Sequence, residues 1–240
     1  MTIYEKINLR PWKNWGLLDE IGNSNDKEDE FVISYFKNKK NGVVVDIGAC
    51  DGITGTNSFK LINEYKWSGL LVECNPHAVN FLKFLYAENS DIAIEDTAVS
   101  LDSEDKQLFL SNYPGIHTIS EDYKLHGMHK DTYSDSSIKV KCDTLNNIIY
   151  KHLQNKKIDF LSIDIEGLDL EILKNFNFCA NKPTIISVEW PDGTKDRVYT
   201  HNLLNNNSIN NKNLIQHMEQ NGYNLQLSTY SNALFVKDWK

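Results

Sequence analysis

The sequence predicts an α/β domain built on a doubly wound sheet, and three observations carry that prediction. Short apolar runs alternate with helix-patterned segments over most of the chain. The runs are continuous, with no strict apolar–polar alternation, as expected of parallel strands covered by helices on both faces. Carboxylates and glycines gather where those runs end, and the carboxyl ends of the strands are where open α/β sheets bind ligands. With 240 residues and 40% hydrophobic composition, the chain can bury one sizeable core. Residues 1–240 therefore read as one domain, with a helical extension over 1–40 and a candidate acceptor lid over 101–144.

The elements follow in order. Residues 1 to about 25 read as irregular, and Ser24, Asn25 or Asp26 can cap the helix KEDEFVISYFKNK by accepting a free backbone N–H. Asn41-Gly42 breaks the chain before strand GVVVDIG. A helix from about Asn57 to Lys66 leads to strand GLLVE, and helix PHAVNFLKFLY opens on Pro76, which suits a first helical turn. Strand IAIEDTAVS follows. QLFLSN and IKVKCD read as short strands flanking a polar loop that carries His117, His126 and His129. Alternation resumes with helix TLNNIIYKHL, strand IDFLSIDIEG, helix LDLEILKNF and strand TIISVEW. The Asn-rich run Leu203 to Asn213 reads as solvated loop. Helix NLIQHMEQNGY and strands NLQLS and ALFVK close the chain, the last two forming an antiparallel hairpin around TYSN.

Composition narrows the function. A formal net charge of -8 disfavours broad capture of nucleic acid or of an anionic membrane surface, so a small-molecule or neutral acceptor is expected and a nucleic-acid partner is not. Cys50, Cys74, Cys142 and Cys179 show neither C-x-x-C pairing nor zinc-ligand spacing with histidine, which suits reduced thiols and a cytoplasmic location. No apolar span is long enough to cross a bilayer, and the N-terminus has no secretory h-region. The oligomeric state stays open.

The chemistry-bearing residues begin with Asp46, at the end of the first strand before Gly48-Ala49-Cys50-Asp51-Gly52. Glycine admits a ligand close to the backbone, and the aspartate can accept from an ammonium or hydroxyl group. This turn lacks the dinucleotide glycine spacing, and its acids would repel a pyrophosphate. Glu73 ends the second strand where α/β nucleotide-binding domains place a carboxylate on the ribose hydroxyls, with Cys74 beside it. Asp96, followed by Thr97-Ala98, is placed to accept from an adenine amino group. A ribose with a cationic tail that is not a pyrophosphate describes S-adenosylmethionine. Asp164 and Glu166 stand two apart at the end of the fourth strand, so persisting strand geometry would send both carboxylates to one side. Glu189 ends the fifth strand. Three carboxylates would suit a hard divalent cation, although their spacing does not demand one.

Several segments together resemble the FkbM-type methyltransferases, a branch of the class I S-adenosylmethionine-dependent enzymes: SNDKEDEFVISYF, VVVDIGACDGITGTNSFKLINEYKWSGLLVECNP, AVS, and DFLSIDIEGLDLEIL followed by IISVEW. They run from about Ser24 to Trp190. The resemblance implies a mostly parallel, Rossmann-like sheet of seven strands with an antiparallel final hairpin. It implies cofactor contacts at Asp46, Gly48, Cys50, Gly52, Asn57, Glu73 and Asp96, and methyl transfer to an acceptor hydroxyl, often on a sugar, glycan precursor or natural product. Cys50 stands where an asparagine is usual.

Methyl transfer requires alignment of acceptor and methyl and removal of the acceptor's proton. The candidate catalytic residues are Asp164, to position donor or acceptor, Glu166, for acceptor binding or general base, and His117 as an alternative base in the lid. Two other readings remain open on the residues: a nicotinamide-dependent reductase or epimerase, whose Tyr-x-x-x-Lys pair occurs only at Tyr35 and Lys39, upstream of the glycine turn, and a non-catalytic nucleotide-binding scaffold.

Overall fold

The computed structural model describes residues 1–10, 27–113, 115–127, 129–154, 156–190, 198–199 and 208–238; the expected helix cap at Ser24 to Asp26 lies outside them. Helices α1 (Ile3–Ile7) and α2 (Glu28–Tyr35) precede β1 (Val43–Ile47), α3 (Phe59–Asn63), β2 (Ser68–Glu73), α4 (Pro76–Leu85) and β3 (Ile92–Asp96). An excursion follows: β4 (Ala98–Ser100), β5 (Lys106–Ser111), α5 (Glu121–His126), β6 (Tyr133–Val140) and β7 (Cys142–Thr144). The main alternation resumes with α6 (Leu145–Leu153), β8 (Phe160–Ile163), α7 (Asp169–Asn175) and β9 (Ile185–Glu189). It closes with β10 (Val198–Tyr199), α8 (Ile209–Gln220), β11 (Tyr223–Ser228) and β12 (Asn232–Lys237).

The main sheet has the order β10-β11-β12-β9-β8-β1-β2-β3. Strands β3, β2, β1, β8 and β9 run parallel, and the terminal hairpin inserts β12 antiparallel against β9. Without the two-residue β10 at the edge, this is the mostly parallel, Rossmann-like seven-strand sheet with an antiparallel end. Strand order reverses between β1 and β8, which defines the crevice at their carboxyl ends.

The pleat decides what each strand residue faces. Val45, Ile47, Leu70, Val72, Leu161 and Ile163 pack with α6, α7 and α8 in one apolar cluster. Val44, Leu71 and Phe160 face the other way, into the cluster with α1 to α4. Period 2 therefore sends Asp46 and Ser162 to the α3 side. The helices form where apolar spacing and caps agree: Asn75 Oδ1 accepts from His77 N at 3.0 Å ahead of Pro76, and Thr144 Oγ1 accepts from Asn147 N.

Five local expectations change. The segment read as irregular at the N-terminus contains α1, closed by a capping box between Thr2 and Glu5. The helix expected over Asn57–Lys66 is shorter, because its first residues are drawn into tertiary side-chain bonds, Thr56 and Ser58 with Asp46 and Asn57 with Ser162. The run IAIEDTAVS splits at Thr97: β3 joins the main sheet, and β4 pairs with β7 in a separate two-stranded sheet. The polar loop between β5 and β6 holds α5, started by Ser120 Oγ accepting from Tyr123 N. Within the Asn-rich run, α8 begins at Ile209, because Ser208 caps it and Leu214 and Met218 bury one face.

Candidate active site

The turn after β1 is shaped by backbone positions that few side chains allow. Gly48 has φ +82°, and a Cβ there would lie 1.8 Å from the Asp164 carbonyl oxygen, so only glycine lets the β1 and β8 ends meet. Cys50 holds the left-handed conformation at φ 49° and donates its N–H to Glu73 Oε2 at 2.9 Å. Glu73 Oε1 accepts from Cys74 N and Asn75 N at 2.8 and 2.7 Å. Burial nevertheless raises the Glu73 carboxyl above its ordinary range, the three amide bonds opposing it. Gly48, Cys50, Glu73, Cys74 and Thr97 share a cleft whose apolar walls come from Val72, Val99 and Leu108.

Other expected cofactor residues lie elsewhere. Asp46 is buried on the α3 side and accepts from Ser58 Oγ at 2.5 Å and Thr56 Oγ1 at 3.2 Å. Asp51 Oδ1 accepts from Ile53 N and Thr54 N, tying the glycine turn to itself, and Ala49 and Gly52 are buried within that turn. Asn57 donates to Ser162 Oγ at 3.0 Å, while its Oδ1 is buried without a partner. Asp96 is exposed and paired with Lys83 at 3.1 Å.

The cleft continues past the end of β8 to Asp164 and Glu166. The strand ends at Ile163, so the two carboxylates do not converge by strand geometry. Glu166 instead takes a left-handed conformation at φ 58°, which costs about 1–2 kcal/mol for a residue with a Cβ. The turn is fastened from both sides: Asp169 Oδ1 accepts from Ile165 N, its Oδ2 accepts from Gly167 N, and Thr118 Oγ1 donates to the Glu166 carbonyl at 2.7 Å. Asp169 therefore braces the turn that carries Glu166. Glu166 is left free to project its carboxylate toward Asp164 and Glu189, and oxygens of the three lie within 4.8 Å of one another.

This crowding shows in the acidities. Asp164 is pushed up to about 7 by burial and then by the negative charges of Asp169 and Asp46. Glu166 and Glu189 are raised well above the ordinary carboxylate range by burial and by the neighbouring carboxylates. The Tyr123 hydroxyl lies against Glu166 and Glu189 without a well-directed hydrogen bond to either, and burial first, then those charges, push its acidity down. Its ring is gripped by two glycines: a Cβ at Gly167 would lie 2.4 Å from the ring Cδ2, and one at Gly127 would lie 2.7 Å from the ring Cγ. Beyond Tyr123 a second cavity, about 580 Å³, opens between α5 and α7, with Asp122, His126, Glu171 and Glu189 on its lining.

His117 lies in the cleft wall. Its Nδ1 accepts from Ser111 N at 3.0 Å, which places the proton of the neutral ring on Nε2, and burial lowers its pKa to about 4. His126 is exposed, and burial lowers the pKa of His129. Sequence reasoning missed Tyr123, for which no local signal exists, and Asp169, whose place two residues beyond Gly167 is a recognisable turn-bracing position.

The strand order, the crevice at the β1–β8 reversal and the carboxylates at the strand ends define a Rossmann-like methyltransferase fold. The sequence profile of the methyltransferase FkbM domain matches residues 46–225, and the chain belongs to that family. Among solved structures it is similar to the methyltransferase FkbM from Methylobacillus flagellatus KT, at 14% identity over 83% of this chain and 44% of that one, with a TM-score of 0.46. It is also similar to the fibrillarin pre-rRNA processing protein of Methanococcus jannaschii (13% identity, 85% of this chain and 69% of that one, TM-score 0.45). A third is the precorrin-6y C5,15-methyltransferase of Geobacter metallireducens GS-15 (13% identity, 93% and 95%, TM-score 0.42). The chain thus spans less than half the length of the FkbM structure. No curated protein matches the sequence. Among the described residues, no helix is long and apolar enough to cross a membrane.

Proposed function

We propose that the chain transfers the methyl group of S-adenosylmethionine to a hydroxyl oxygen of a polar small molecule, a sugar or glycan precursor being the acceptor class that the family resemblance suggests. The observation that carries this reading is the continuity of one cleft from Glu73 and the glycine turn to Asp164 and Glu166.

The residues present fit the cofactor. Gly48 and Cys50 bring the glycine turn to the cleft wall beside Glu73. Glu73 Oε2, with one amide donor, keeps a lone pair for a ribose hydroxyl, and Thr97 and the apolar walls of Val72 and Val99 suit a purine. When bound, S-adenosylmethionine supplies an electrophilic methyl group on a sulfonium. The chain's own work is then to hold the acceptor and to take its proton. Glu166 is the base in this reading: its raised proton affinity brings it toward working pH, where a general base is most effective. Asp164 orients the acceptor hydroxyl, and the Tyr123 hydroxyl steadies Glu166 or Glu189. His117, with its proton on Nε2, serves as a hydrogen-bond donor from the cleft wall in preference to a base.

Incubating the protein with S-adenosylmethionine and a panel of sugars, glycan precursors, lipid head groups and amines, and measuring S-adenosylhomocysteine release, tests the reading. Hydroxyl acceptors should give turnover; release with amine acceptors alone would overturn the oxygen assignment. Glu73→Ala should weaken S-adenosylhomocysteine binding by tenfold or more.

A further inference from the structure

Asp164, Glu166 and Glu189 sit at the ends of two adjacent strands with an oxygen of each within 4.8 Å of the others, and none of the ion pairs among the described residues involves them. Glu166 is 7% exposed, and its Oε2 is buried without a hydrogen-bond partner. A separate residue, Tyr123, 9% exposed and held between Gly127 and Gly167, aims a hydroxyl into the same space, also without a partner of good geometry.

We propose that Asp164, Glu166 and Glu189 bind one hard divalent cation of the magnesium, manganese or calcium class, with the Tyr123 hydroxyl placed to hydrogen-bond a ligand carboxylate or a water on the ion. The donor set is all oxygen, which selects hard cations, and the nearby Cys50 lies in the cleft outside the cluster, so no thiolate site is formed. The spacing fits. With metal–oxygen bonds of about 2.0–2.6 Å, two ligand oxygens on one ion stand roughly 3 to 5 Å apart, depending on their angle. The observed separations therefore need side-chain adjustment and no movement of the strands. Three protein ligands leave about half of a six-coordinate shell for water or an acceptor hydroxyl.

The ion's use rests on the methyltransferase reading: a hydroxyl on the cation gives up its proton more readily, and with one Glu166 oxygen on the ion the other can receive that proton. The binding itself does not rest on that reading.

Titration of the full chain with Mn²⁺, the free ion followed by electron paramagnetic resonance, tests the site, alongside calorimetric titration with S-adenosylhomocysteine. One Mn²⁺ should bind per chain, displaced by excess Mg²⁺ or Ca²⁺, and Glu189→Gln should weaken it at least tenfold with little change in S-adenosylhomocysteine affinity. Asp164→Asn is the second variant, so a folding failure in one leaves the test intact. Absence of stoichiometric Mn²⁺ binding, or unchanged affinity in both folded variants, would overturn the site. Mn²⁺ binding that these variants abolish, in a chain that ignores S-adenosylhomocysteine, would instead leave the site standing and overturn the methyltransferase reading.

Discussion

Replacing Glu166 by glutamine should make the protein more stable and less active at once. The three carboxylates lie within 4.8 Å of one another, and at that separation two full charges repel by about 3.5 kcal/mol at an effective dielectric constant near 20. The real penalty is smaller, because burial and mutual repulsion keep these groups partly protonated. Glutamine keeps the shape and removes one charge, so a gain of about 1–3 kcal/mol is expected at pH 8 in the presence of a chelator. The sign with pH follows from the raised acidities. A carboxyl whose folded pKa exceeds its unfolded value costs stability as pH rises from the unfolded value through the folded one, so the advantage of glutamine should vanish near pH 4 and grow from about pH 4.5 upward through neutrality. For a chain of this size, 1 kcal/mol moves the midpoint by about 2–4 °C; calorimetric melts should therefore show Glu166→Gln some 2–12 °C higher at pH 8 and level with the parent at pH 4. Turnover should fall by about 10²–10⁴, the usual worth of a general base. A variant that is no more stable at any pH, or that turns over the acceptor at the parental rate, would refute the reasoning.

Three other outcomes follow. Gly48→Ala places a methyl 1.8 Å from the Asp164 carbonyl at φ +82°, so it should cost more than about 3 kcal/mol in chemical denaturation or yield insoluble protein. Gly167→Ala should displace the Tyr123 ring, whose atoms lie 2.4 Å from the added carbon, and lower turnover more than S-adenosylhomocysteine binding; equal loss of both would contradict the placement of Tyr123. His117 is held near pKa 4 by burial, below its unfolded value, so protonation favours unfolding as pH falls from about 6.5 toward 4; His117→Asn should flatten that part of the curve of melting temperature against pH.

The parallel strands were legible because each is a short, mostly apolar run, and VVVDI and LLVE announce both their burial and their ends. Glu73, the glycine turn and the Asp164–Glu166 pair were legible because each closes such a run. Asp46 illustrates the limit. Its position at a strand end was visible, but its direction was not, because the pleat and the hydroxyls of Thr56 and Ser58 decide that it faces α3. The convergence of Asp164 and Glu166 was expected for another reason than the one that holds: a left-handed residue braced by Asp169, and no continuation of the strand, brings the carboxylates together. Tyr123 was invisible, since it reaches the site through α5, a helix started by Ser120 inside a polar stretch, and through a slot made by two glycines forty residues apart.

Calorimetric titration of the full chain with S-adenosylhomocysteine and, separately, with NAD tests the central claim most directly. The account predicts saturable binding of S-adenosylhomocysteine at one site, lost in Glu73→Ala and kept in Glu166→Gln, and no binding of NAD; tight binding of NAD with none of S-adenosylhomocysteine would contradict it.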